Sequence, residues 1–526
     1  MRRLRTWAAM GTVAGLLLAG CGDAPESTSK ETAEYPSIIE QSDDYDPDAT
    51  FTFGYTAFPP SWDPTESTSS ADRIPYSIVY DGLFIEKADD SSFVPGLATG
   101  YEPAEDGKSV TLTLREGLKF SDGTEFDAEA VKFNLDRNRA EGSRLAGELY
   151  QVESVEVVDP LTVKINVSGG IKPLLTSLIG RAGLVVSPKA VADGVLKDKP
   201  VGIGPYVSTD IEPGVEATFE RTPDYWEPEA QKVKTRVHRF IADDQSRYNA
   251  LISGEIDGAQ INPDQLNAAE DAGIQTLAKP STLFLNFGMN ISVEPFDNVE
   301  VRKALNMAID REGIAKGLYD GHCTPQVQPF PEGGVGYNEE VGDGLDVYPF
   351  DPEQAKEILA EQGVTDLEFD TVAPNVTIYT KFAEIVQENF AQAGITVTVK
   401  SIPSQQLVQD YIIDKTVYTS SSVTTGIIDP DFVWGSFVSP TASSNPGGTT
   451  DPDITKYATE GANALEDADR TAAYAKMVDA WMANPPHIIP VCMIHLAAGY
   501  APGVAGAAQN LSGMNDLRYV SVAPEE

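Results

Sequence analysis

Residues 93–137 read FVPGLATGYEPAEDGKSVTLTLREGLKFSDGTEFDAEAVKFNLDR. Val110, Leu112 and Leu114 alternate with Thr111 and Thr113, the period-two pattern of a half-buried strand. Asp122-Gly123 follows, a turn signal, because glycine takes positive φ freely and aspartate bonds its own backbone. Asp127 then stands where a helix N-cap belongs, ahead of Ala128, Val131 and Leu135 on one helical face. Strand, turn and capped helix in close succession predict an α/β class, with helices packed on sheets.

The same alternation extends in both directions, without internal repeats. Phe51, Phe53 and Tyr55 alternate with Thr52, Gly54 and Thr56, which predicts a strand. Residues 152–158 and 161–167 flank Asp159-Pro160 as a hairpin would. Asn298 is placed to cap a helix bearing Val301, Leu305, Ala308 and Ile309. Phe382, Ile385, Val386 and Phe390 form one stripe over 380–392, which Gly394 stops before the strand ITVTV. Ala473, Met477 and Trp481 mark a late helix ended by Pro485-Pro486. All these stripes are expected to be core rather than ligand surface.

The N-terminus carries a different message. Arg2, Arg3 and Arg5 precede an apolar run over 7–20 that is too short to span a bilayer, and Leu18-Ala19-Gly20-Cys21 closes it. This looks like a bacterial lipoprotein signal over 1–20, with Cys21 acylated and left as the mature N-terminus. An ordinary secretory signal with an incidental cysteine is the plainer alternative. Residues 21–49, poor in large apolar side chains, read as a flexible tether. No later segment approaches the ~18 continuous apolar residues of a membrane span. The expected location is the extracytoplasmic face of the cell membrane.

The chain has 526 residues, room for more than one core-forming domain, and a formal net charge of −42. Such acidity favours solubility and argues against nucleic acid or an anionic surface as partner. Beyond Cys21, Cys323 and Cys492 form an even set in an exported protein; whether they pair depends on geometry that their separation does not give. His238, His322, His487 and His495 show no metal-ligand spacing, so no metal or other cofactor is expected. GxxxxGK[ST], HExxH and GxSxG are absent, and GIGP at 202–205 lacks the rest of a dinucleotide loop. Nothing here supports an enzyme.

Several blocks, in consistent order, resemble the family 5 extracellular solute-binding proteins of ABC importers, which include dipeptide, oligopeptide and nickel binders. The quoted stretch 93–137 carries the family's PGLA run, DGK, a strand ending LR, and FSDGT before a helix. VGIGPY at 201–206, ERTPDYW at 220–226 and YNALISGEIDGA at 248–259 follow, with Ile203 and Thr222 departing from the usual threonine and asparagine. LFLNFGMN at 283–290, PFDNVEVRKALNMAIDREGIAKGLYDG at 295–321, DPDF at 429–432 and HIIPV at 487–491 complete the series. The resemblance implies a two-lobed periplasmic-binding-protein-like fold: lobe one over 50–278 with an extra subdomain near 85–200, lobe two over 279–490, and a return to lobe one over 491–526. It also implies hinge closure around a solute and delivery to ABC permease subunits driven by a separate ATPase, with the receptor itself a monomer.

The resemblance also directs attention to the pocket. Peptide binders of the family commonly carry an aspartate three residues before the DPD-like motif, where this chain has Gly426, and a Trp where it has Val423. An arginine for the peptide carboxylate is replaced by Ala373, with Asn375 nearby. A buried terminal charge without a partner is costly, so free dipeptides are expected to bind poorly unless Asp429 or Asp431 substitutes. TSSSVTT at 419–425 offers Ser422, Val423, Thr424 and Thr425 as uncharged lining, or else is simply a β-favouring strand before a turn. Trp62, Ser69 and Ser70 in the loop 58–71, with Tyr379, Phe432 and Trp434, complete the candidates; the aromatics would stack on ligand or pack in the core. The expected function is capture of a peptide or peptide-like solute. A receptor for a carbohydrate or other neutral polar metabolite is the alternative, followed by a lipid-anchored hydrolase and by a surface chaperone or sensor on the same fold.

Overall fold

One hydrogen-bonded sheet runs through the core. Its described strands lie in the order Thr396–Ile402, Glu368–Pro374, Thr419–Thr424, Gln275–Met289, Ile488–Tyr500, Gly258–Ile261, Thr50–Tyr55, Thr235–Phe240, Glu216–Arg221 and Tyr206–Glu212, with Cys323–Pro325 added beside Ile488–Tyr500. This structure, a computed structural model, describes residues 35–524 apart from 68, 89–91, 425–428 and 443. The lipoprotein signal and Cys21 therefore lie outside the described residues.

The local signals fold as their chemistry dictates. Ser109–Leu114 is a strand, and Gly123 takes φ 83° in the turn where Asp122 accepts from the Thr124 amide at 3.0 Å. The Asp127 carboxylate accepts from the Ala130 amide at the start of the helix Ala128–Asn138. Val152–Asp159 and Thr162–Val167 pair as an antiparallel hairpin, extended by Ser109–Leu114 and Ala98–Pro103 into a separate four-stranded sheet. Asn298 caps Val299–Met307. The helix Thr377–Gln392 is followed by Gly394 at φ 79° and a strand.

The apolar side chains divide among distinct clusters. One gathers Phe51, Phe53, Trp62, Tyr80, Phe219 and Tyr500. Another, under the four-stranded sheet, gathers Leu112, Val131, Leu135, Val163, Ile165 and Leu174. The largest gathers Phe284, Leu305, Phe382, Phe390, Trp481 and Ile489. Two long strands serve more than one core. In Gln275–Met289, Leu277 belongs to the first cluster and Phe284 to the largest; in Ile488–Tyr500, Ile489 belongs to the largest and Tyr500 to the first. These strands pair antiparallel, and their register shifts between Pro280 and Phe284, where the side chains change cores. A shift of this kind bends and twists a ladder locally.

Two expectations are settled or altered by packing. Cys323 and Cys492 are joined, with Cα atoms 5.5 Å apart across a sequence separation of 169. Both sit on adjacent strands, which supplies the geometry that sequence separation withheld. The end of the expected tether is docked rather than free: the Ile39 amide donates to the Ala507 carbonyl at 2.8 Å, Gln509 donates to Ser37 at 2.7 Å, and the Tyr35 ring lies 5.5 Å from that of His322. Backbone pairing with the C-terminal segment overrides the polar composition of 35–49.

Candidate ligand-binding cleft

A cavity of about 380 Å³ opens where the two long strands change cores. Tyr55, Ser69, Gln260, Thr282, Leu283, Tyr379, Val423 and Ile494 are among the residues that line it. The sequence explains this placement. Tyr55 ends a strand, so its ring leaves the sheet at the strand's edge, and its hydroxyl donates to the Ala71 carbonyl at 3.1 Å. Tyr379 sits in the first turn of the helix Thr377–Gln392, and burial raises its phenol, keeping it a neutral donor and acceptor. Val423 lies opposite Leu285 in the antiparallel ladder of Thr419–Thr424 with Phe284–Met289.

A second cavity, about 320 Å³, adjoins it. Tyr379 and Val423 line both, so these side chains form the partition. Ser420, Ser422 and Thr424 line the second cavity at the period of two that a strand imposes. Asn286 donates to the Thr424 hydroxyl at 2.7 Å. TSSSVT is thus both a strand of β-favouring residues and a polar wall.

The DPD segment does different work. Asp429 caps Pro430–Val433 by accepting from the Asp431 amide at 3.0 Å. Its carboxylate also accepts from Arg470 at 2.6 Å and from the Thr176 hydroxyl at 3.2 Å. With Arg470 so close, Asp429 is already neutralised and is not a spare partner for a ligand ammonium. Asp431 accepts a hydrogen bond from Tyr150. Burial raises Asp431 to about 6; the Tyr150 bond opposes the rise, and Asp429 adds to it. Burial alone would lower Arg470, but Asp429 beside it raises it above the ordinary range. Lys172 and Asp467 pair at 3.0 Å nearby. These contacts join the helix Ile171–Ile179 and Tyr150 to the segments 429–431 and 467–470. Approach there is close: a Cβ on Gly170 would stand 1.8 Å from the Ala462 carbonyl oxygen. A third cavity, about 610 Å³, lies at this seam and includes Asp429, Arg470 and Lys172 in its wall.

Among the sequence-derived candidates, Ser69, Tyr379, Ser422, Val423 and Thr424 come together around the adjoining cavities. Trp62 does not: it is 1% exposed, edge-on to Phe219 and Phe58, in the first core. Its aromaticity is spent on packing. Asn375 is exposed, and its amide donates to the Ile402 carbonyl. Ala373 is buried in the sheet beside Ser401. Phe432 packs edge-on to Phe437, and Trp434 lies half-buried against the largest core. Ser70 begins the short turn Ser70–Asp72, while Thr425 and Gly426 lie outside the described residues. Sequence reasoning missed Tyr411, Asn286 and the pocket role of His487. Nothing local marks Tyr411; HIIPV drew attention to His487 only as part of a family block.

His322 and His495 approach, with ring centroids 6.2 Å apart, but the Cys323 sulfur is committed to the disulfide. Among the described residues no cluster of three His, Cys, Asp or Glu is placed to hold a metal ion. No described helix is long and apolar enough to cross a membrane.

The model of bacterial extracellular solute-binding proteins, family 5 Middle, matches residues 92–445. The chain belongs to this family. Family 5 relatives include the glutathione-binding protein GsiB of Salmonella paratyphi A, 32% identical over 357 residues, 65% of this chain and 68% of that protein. GsiB of Pectobacterium atrosepticum is 30% identical over 440 residues, 80% of this chain and 83% of that protein. Solved structures share the fold. HbpA2 from Haemophilus parasuis matches with TM-score 0.79 at 24% identity, covering 90% of this chain and 100% of that one. DppA from Helicobacter pylori, in complex with the peptide STSA, matches with TM-score 0.75 at 21% identity, covering 91% and 99%. The family 5 fold is two-lobed and α/β.

Proposed function

We propose that this family 5 protein is an extracytoplasmic receptor that closes its lobes around a peptide or peptide-like solute and presents it to the permease of an ABC importer. The observation that carries the reading is the cavity at the crossing of Gln275–Met289 and Ile488–Tyr500, walled by residues from both sides of that crossing. A cleft there shuts when the two strands bend, which is hinge closure. Relatives named for glutathione binding make glutathione the first solute to try. We assign 50–278 with 491–526 to lobe one, 279–490 to lobe two, and lipid attachment to Cys21, with the protein acting as a monomer. The relatives are solute-binding proteins rather than enzymes, and the cleft lining is suited to holding rather than cleaving.

A neutral polar metabolite is the second reading, favoured by the hydroxyls of Ser420, Ser422 and Thr424 in the adjoining cavity. The test is calorimetry with glutathione, free dipeptides, terminally blocked dipeptides and a sugar panel, paired with small-angle scattering. Binding of a peptide-like compound with a reduced radius of gyration is expected. Saturable binding of sugars alone would transfer the assignment to the second reading. Turnover of any bound compound would overturn the receptor reading.

A further inference from the structure

The cavity behind Tyr379 and Val423 has features that a packing gap lacks. Its volume, about 320 Å³, lies within the range of small-molecule pockets, ~300–1,000 Å³. Its walls combine apolar side chains, among them Leu407, Ile412, Phe437 and Ile488, with hydroxyl groups. No Asp, Glu, Lys or Arg is among the described residues lining it.

Two of its polar groups are buried without a partner. Tyr411 is 4% exposed and His487 is 1% exposed. Ser420 lies beside the Tyr411 hydroxyl and the Ser444 backbone beside the His487 ring. Even so, neither the hydroxyl nor either ring nitrogen makes a well-formed hydrogen bond. Buried polar groups are ordinarily satisfied, and exceptions call for a water, an ion or a ligand. Burial lowers His487 to about 4, so at neutral pH its ring is uncharged, with one nitrogen donating and the other accepting. Burial holds Tyr411 in its protonated form as well. The pocket thus offers hydrogen bonds in both directions and no charge.

We propose that this cavity is a specificity subsite that takes an uncharged, largely apolar group of the solute with a polar end, such as a phenol, an alcohol or a side-chain amide. The inference rests on the solute-receptor reading. A carboxylate or ammonium would lose its hydration there and find no counter-charge, which is strongly unfavourable. An apolar group with a hydroxyl gains burial along Leu407 and Ile412 and reaches Tyr411 or His487 at its tip. Tyr379 and Val423 separate this group from whatever part of the solute occupies the cleft.

Side-chain analogues test the pocket without a known solute. Saturation-transfer NMR on the full chain is run with p-cresol, isobutanol, butyrate and butylamine. p-Cresol and isobutanol are expected to bind with millimolar dissociation constants, and the charged pair at least tenfold more weakly. Ser422→Leu, which fills the cavity, should abolish binding of the neutral pair; Tyr411→Phe, a gentler change, should weaken p-cresol several-fold. A peptide arm compares Ala-X-Ala with X as Leu, Tyr, Lys and Glu, and expects at least a tenfold preference for Leu and Tyr. Equal binding of charged and neutral analogues, absence of all binding, or neutral binding unaffected by both substitutions overturns the subsite. Neutral analogues displaced by Ser422→Leu while no peptide binds would leave the subsite standing and refute the peptide reading instead.

Discussion

Arg470→Met should destabilise the protein far more than loss of a surface ion pair. Arg470 and Asp429 are 6% and 4% exposed at the side chain and meet at 2.6 Å. Without the guanidinium, Asp429 keeps, among the described residues, the Asp431 amide at 3.0 Å and the Thr176 hydroxyl at 3.2 Å, with a second carboxyl nearby. A buried charge stripped of its partner costs about 3–5 kcal/mol. Methionine replaces part of the arginine stem, so the loss is electrostatic more than steric. Urea unfolding, followed by circular dichroism and tryptophan fluorescence, measures it. A two-lobed chain need not unfold in one step, so each transition is fitted separately. Asp429→Asn combined with Arg470→Met should recover much of the loss, giving a coupling energy of about 2 kcal/mol or more in the cycle. A single-variant loss under about 1 kcal/mol, the surface value, would refute the argument.

Reduction of Cys323–Cys492, or Cys323→Ser with Cys492→Ser, should lower stability by up to about 5 kcal/mol, since the bridge spans 169 residues; denaturation with and without reductant reads this. Asp431 is raised from 3.8 to about 6 by burial, so the folded state holds its proton more tightly than the unfolded chain. Its contribution is full below about pH 4 and is lost as pH rises through 6, on the order of 3 kcal/mol. Asp431→Asn should flatten that part of the pH profile in thermal melts at pH 4 to 7; an unchanged slope counts against the assignment. Cys21→Ala should remove the lipid mass and release the protein from membranes, and membrane retention with no lipid on the wild type would defeat the anchor.

Local chemistry was legible in the sequence because its causes are local. Asp127, Asn298 and Gly394 act on backbone within a few residues, and their helices start or stop where those residues stand. Ser422 and Val423 were singled out by their place before DPD in the family pattern and Tyr379 as an aromatic candidate, not by any period, and the structure sets all three around the adjoining cavities. The packing of Trp62 was not legible, since an aromatic in a loop has no period, and only the surrounding Phe58, Tyr76 and Phe219 decide that it packs. Tyr411 and His487 come from distant segments and meet only because Ile488–Tyr500 and Thr419–Thr424 flank one strand. The tether suffered the converse error: composition reports side chains, whereas residues 35–49 are held largely through backbone.

The distribution of charge gives the cleft its chemical character. A chain with formal net charge −42 invites the expectation of a cation in its pocket. Three acids of the segments 429–431 and 467–470 are committed, however. Asp429 is bound by Arg470, Asp467 by Lys172, and Asp431 by Tyr150. These pairs lie along the seam where the helix Ile171–Ile179 meets the segment beginning at Asp429, and there they hold one surface against another. Among the described residues, the polar side chains that line the adjoining cavity behind Tyr379 are hydroxyls, the Asn286 amide and a neutral imidazole. Charge therefore acts on contact at this seam, and in the proposed subsite uncharged hydrogen bonding would act on the solute. If the proposed subsite holds, such a division would let an acidic chain discriminate among neutral groups: its long-range field governs solubility, while selectivity is set at contact distance, where a misplaced charge meets no partner.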